Sequence, residues 1–149
     1  MEENEYKSIY SKIANIRCEF EKALTNNKAK CSYSRHFCLA DREGYACRSR
    51  EASEKCRDLL QILRENSRFI LKTQNTDSKL PHNMEIRVQV GGLSGIQTLL
   101  SPERQDKIEN IFALLEQAES VYGSLEMLPY NRIVQSISRY RGRKSRKRS

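Results

Sequence analysis

The chain has no tryptophan, only two histidines (His36 and His82) and no apolar run long enough to span a bilayer. The last absence excludes a transmembrane helix, which needs roughly 18 or more consecutive apolar residues. The glycines at Gly91, Gly92 and Gly95 are not followed by Lys-Ser/Thr, so there is no phosphate-cradling P-loop. The Gly92-Leu93-Ser94-Gly95 spacing lacks the internal basic residues of a GxxG nucleic-acid clamp and reads as a tight turn. No nucleophile elbow, carboxylate pair or histidine-centred set is visible, so no catalytic constellation emerges. Close C-x₂₋₄-C pairs are also missing, although small structural zinc sites usually use them because a tight turn presents two thiolates to one ion. The start, Met1-Glu2-Glu3-Asn4-Glu5, is acidic, unlike the basic opening of a secretory signal. The expectation is a cytoplasmic, reducing setting in which cysteines bind metal more readily than they form disulfides.

What is present is a polar chain with a concentrated charge. Of 149 residues, 38% are hydrophobic and 31% charged, enough for one domain with a modest core. The formal charge of +8 is localised. Arg132, Arg139, Arg141, Arg143, Lys144, Arg146, Lys147 and Arg148 account for all of it, and no acid follows Glu126. The layout is a neutral domain over 1–137 and a basic, disordered tail over 138–149.

Periodicity sketches the body. Tyr6, Ile9, Ile13, Ile16, Phe20 and Leu24 form a helical stripe over 3–25, with Cys18 beside it. Residues 27–48 show no sustained period and read as an irregular, cysteine-rich metal-binding loop. Ser49 is a plausible N-cap for a helix running to about Lys72 with Ala52, Cys56, Leu59 and Leu63 inward. A polar linker over 74–83 precedes Met84-Glu-Ile-Arg-Val-Gln-Val90, whose alternation predicts a strand over 84–90. A lone strand leaves backbone groups unpaired, so its edge predicts a homodimer contact or a partner in the loop. Ser101-Pro102-Glu103 predicts a helix start and Gly123 its end; Pro129 opens a last helix. The fold class is mainly α: a small helical domain of about four main helices, with one short strand or hairpin.

Cys31, Cys38, Cys47 and Cys56 fall within 26 residues, separated by six, eight and eight. These long, even spacings suit an iron–sulfur cluster reached from several turns, with 4Fe-4S favoured and zinc as the alternative. Disulfides and unrelated thiols are the competing readings. His36 could replace one ligand; Cys18 reads as a core thiol packed on the first helix, or as a fifth, exchangeable thiol if that helix packs over the loop. Surrounding cations (Lys30, Arg35, Arg42, Arg48, Arg50, Lys55 and Arg57) favour thiolates.

The tail cations Arg139, Arg141, Arg143, Lys144, Arg146, Lys147 and Arg148 are dense enough to bind DNA or RNA by counterion release, with Tyr140 available for stacking. A solubilising end, a localisation signal and an anionic membrane surface are the other uses of such a segment. The layout of four cysteines on a mostly helical body ahead of a basic tail is similar to small iron–sulfur transcription regulators of the WhiB type. Those carry a close C-x₂-C pair that this chain lacks, so no residue roles are carried over. Together these features predict a nucleic-acid-binding accessory or regulatory protein with a four-cysteine site. The alternatives are a redox or cluster-assembly component with an exposed cluster, and a zinc-stapled structural adaptor.

Overall fold

The structure, a computed structural model, describes residues 3–5, 7, 9, 16–72 and 80–140. Tail residues Arg141, Arg143, Lys144, Arg146, Lys147 and Arg148, and much of the first apolar stripe, lie outside the described residues. In chain order come α1 (Glu21–Thr25), β1 (Ser34–Leu39), β2 (Arg42–Cys47), α2 (Arg50–Asn66), α3 (Arg68–Leu71) and α4 (His82–Ile86). A π-helical turn (Arg87–Gly91) then leads into α5 (Gly92–Leu100), followed by α6 (Ile111–Tyr122), a 3₁₀ turn (Leu125–Met127) and α7 (Tyr130–Arg139). The protein is mainly helical with one antiparallel hairpin, and among the described residues no helix is long and apolar enough to cross a membrane.

The hairpin lies within the segment expected to be irregular. β1 and β2 pair from Ser34↔Cys47 to Leu39↔Arg42, leaving the two-residue turn Ala40-Asp41. Both turn residues have positive φ (51° and 64°), which matches the right-handed twist of a two-residue hairpin. The expected helix over 3–25 is interrupted. Residues 3–5, 7 and 9 are helical, but Arg17 bridges Ala46 instead of continuing a helix. Cys47 N–H donates to Ile16 O at 2.7 Å and Cys18 N–H to Tyr45 O at 3.0 Å. Residues 16–18 thus run antiparallel beside β2.

The expected strand over 84–90, and with it the proposed dimer edge, is replaced by helix. Glu85 and Gln89 explain why. They would share the solvent side of a strand, but at four-residue spacing they also share one helical face. That face is buried: Glu85 is 0% and Gln89 3% exposed. Arg64 of α2 donates through Nε to Glu85 Oε1 at 2.8 Å and through its second nitrogen to the same carboxylate. Gln89 Oε1 accepts from Ala23 N–H at 3.1 Å. Ile86, Val88 and Val90 meanwhile pack inward or against the core. With apolar and satisfied polar residues both inward, the alternation carries no strand information.

Gly91 lies within this helical run where α7 crosses it closely. A Cβ on Gly91 would stand 2.7 Å from Ile137 Cα, and one on Gly95 3.2 Å from Ile133 Cα. These glycines permit helix–helix contact instead of marking a turn. The core around them joins Phe20, Leu59, Leu63, Leu93, Ile96, Ile111, Leu115, Ile133 and Ile137, all at most 1% exposed.

Helix starts divide. Ser49 caps α2 by accepting from Ala52 N–H at 3.1 Å. The Ser101-Pro102-Glu103 start is corrected to Ile111, because Ile108 pairs in parallel with Ala29. Lys30 N–H donates to Ile108 O at 2.8 Å and Ile108 N–H to Lys28 O at 3.1 Å. Those groups are therefore committed outside any helix. Gly123, at φ 94°, ends α6 as expected.

Replacing Glu85 with Gln leaves the Arg64 charge buried without its partner. The expected loss is about 3–5 kcal/mol in urea unfolding, largely recovered in Arg64→Met/Glu85→Met. Gly91→Ala is expected to lose about 1–3 kcal/mol, because the clash with α7 is backbone and outweighs the gain in helix propensity.

Candidate metal centre

Four cysteines line one cavity: Cys18, Cys31, Cys47 and Cys56, with Ser34, Ile111 and Phe112 in the same wall. Each thiol arrives from a different part of the chain. Cys47 ends β2, and Cys18 sits on the segment paired beside it. In antiparallel pairing, Cys18 opposite Tyr45 takes the same face as Cys47, so the two are diagonal neighbours. Cys31 follows the Lys28–Lys30 segment bonded to Ile108, and its carbonyl accepts from both N–H and Oγ–H of Ser34. Cys56 lies one helical turn beyond Ala52 on α2, facing inward with it.

The structure brings together three of the four cysteines expected from the sequence: Cys31, Cys47 and Cys56. Cys38 stands apart. It is exposed and pairs with Glu43 near the hairpin tip. Ser34 pairs with Cys47, and Cys38 is four residues farther along the strand, a separation of about 13 Å. Cys18 lines the cavity where Cys38 does not. His36 is also elsewhere, 3.6 Å from Glu43 and tilted against the Tyr45 ring at 4.9 Å between centroids. Of the tail cations, Arg139 is described: it is the exposed last residue of α7.

Burial pushes the Cys18 thiol up to about 12 and raises Cys56 and Cys47 as well. Each of these three thiols is raised further by its neighbours: Cys18 and Cys56 by two or more of the other cavity cysteines, Cys47 by Cys31. These thiols are therefore neutral near pH 7 and unsuited to act as activated nucleophiles. Opposing that trend, the Phe20 amide hydrogen-bonds the Cys18 sulfur and the Ser49 amide draws Cys47 down. Cys47 Sγ also donates to Ser49 O at 3.1 Å. All five cysteines are free thiols. Among the described residues no group of three or more His, Cys, Asp or Glu is preset to grip an ion. Coordination would exchange thiol protons for metal and turn the side chains about χ1.

The free room between the thiols fits a body about the size of one water molecule. Phe112, which lines the cavity, lies edge-on to Tyr33 at 5.0 Å, with Lys55 Nζ 5.8 Å from its ring centre. Cys18 and Glu19 also border a second, polar cavity that holds Arg64, Glu85 and Gln89. The sequence signal for Cys18 is its position just off the apolar stripe; in the structure it packs against the core as well as lining the cavity.

In metal-free native protein, Cys38 is expected to react first with an aromatic disulfide reagent, and Cys18 and Cys56 slowest. Stopped-flow absorbance checks this: the fast phase should vanish in Cys38→Ser, and a fast phase that survives there contradicts the placement.

Comparison with protein-family models, curated proteins and solved structures finds no match. Function rests on the chemistry of the chain's own residues.

Proposed function

We propose that this is a nucleic-acid-binding accessory or regulatory protein whose body is organised by a four-thiolate metal site. The observation that carries the reading is the meeting of Cys18, Cys31, Cys47 and Cys56, from four chain segments, at one cavity. Thiolate ligands suit zinc or an iron–sulfur centre, and such sites couple metal binding to folding. A chain with 38% hydrophobic residues gains correspondingly from an ion that joins the 16–18 segment, the hairpin and α2.

The nucleic-acid half of the reading rests on the tail. Arg139 and the cations from Arg141 to Arg148 follow α7, with no acid among them. The helix they leave is firmly seated. Ile133 and Ile137 are 0% exposed, and the Arg87 guanidinium donates to Ser138 O at 3.3 Å. A positive side chain on the last carbonyls complements the helix dipole. The tail thus springs from a fixed base, with Arg139 exposed at its root. Such a segment holds phosphates without reading sequence, because each neutralised phosphate releases condensed counterion.

Titration of single-stranded RNA and duplex DNA at several salt concentrations tests this. Six to eight phosphate contacts predict affinity falling by about 10³–10⁵ between 50 and 200 mM salt. Removing residues 140–149 should abolish that binding while circular dichroism stays unchanged. Equal, salt-insensitive binding by both forms would contradict the proposal.

A further inference from the structure

We infer that the four-cysteine site takes a single tetrahedral zinc ion, and that its ligands are Cys18, Cys31, Cys47 and Cys56, with Cys38 outside the set. This rests on the metal-site reading above and narrows it to one ion and one ligand set.

Size is the first argument. The room between the thiols fits one water-sized body. A zinc ion held by four thiolates at about 2.3 Å occupies that scale of space. A cubane of four irons and four sulfides is larger than that room, and two of the residues that line it, Phe20 at 0% and Ile111 at 1% exposed, belong to the core. Topology is the second. Cys18 and Cys47 share one face of adjacent antiparallel segments, Cys31 sits at a turn closed by Ser34, and Cys56 stands on the second turn of α2. As they stand no three of these side chains are set to hold an ion, so ligation requires their rotation about χ1 on supports that are themselves hydrogen-bonded.

The binding step balances simply. One Zn²⁺ replaces four thiol protons, which pass to solvent, and the centre carries two negative charges. No electron is transferred, so the site needs no oxidant or reductant. Its ligand order, Cys18, Cys31, Cys47, Cys56, makes the ion a clamp between the segment ahead of α1 and the hairpin–α2 unit.

The test uses the full-length, reduced protein. It is purified without oxygen, analysed for zinc, iron and acid-labile sulfide, and alkylated with iodoacetamide before and after addition of one equivalent of Zn²⁺. Mass mapping then reports each cysteine. The expected result is one zinc per chain, no sulfide, and loss of alkylation at Cys18, Cys31, Cys47 and Cys56, with Cys38 still modified. Protection of Cys38 with Cys18 left reactive overturns the ligand set. Iron with matching sulfide overturns zinc while leaving a four-thiolate metal site standing. Failure to hold either metal, with all five thiols reactive, overturns both the inference and the metal-site reading beneath it. The mapping is done on the natural chain, so no variant has to fold for the answer to count.

Discussion

Two backbone hydrogen bonds, Cys47 N–H to Ile16 O and Cys18 N–H to Tyr45 O, decide where the thiols of this protein meet. They draw the chain out of helix at residues 16–18 and lay it along β2. Once Cys18 is there, its side chain shares a face with Cys47, and Cys31 and Cys56 line the same cavity from a turn and a helix. Without this pairing, β2 has an unsatisfied outer edge and the cavity lacks one of its four thiols. The same segment leads directly into Phe20 and α1, whose buried Ala23 and Leu24 touch the central core. Site and core are therefore coupled through one short stretch of backbone.

The second organising element is the buried Arg64–Glu85 pair with Gln89 beside it. A carboxylate 0% exposed needs its charge answered, and the bidentate guanidinium does so. This pair fixes the rotation of α4 against α2, and Gln89 fixes it against α1. The polar cavity it borders shares Cys18 and Glu19 with the thiol cavity. The charged core and the thiol centre are thus the two sides of one wall.

Much of the helical plan was legible because it depends on local chemistry. Ser49 capped, Gly123 stopped and Pro129 opened helices where their side chains or dihedral freedom dictate it. Residues 84–90 misled because strand alternation and a helix with buried polar partners look alike until Arg64 is known to be there. The hairpin was hidden by its turn, since Ala40-Asp41 adopts positive φ without glycine. Of the clustered cysteines, Cys31, Cys47 and Cys56 line one cavity. The fourth thiol of that cavity could not be chosen by proximity in sequence. Cys38 is close to Cys31 along the chain, but strand geometry carries it about 13 Å along β1. Cys18, distant in sequence, is returned by strand pairing, a long-range contact that spacing alone does not encode.

X-ray absorption at the metal edge of anaerobically purified, full-length protein measures the central claim directly. The account predicts a zinc edge with a single shell of four sulfur scatterers at about 2.3 Å. A shell containing nitrogen or oxygen, or an iron edge with metal–metal scattering, would contradict it.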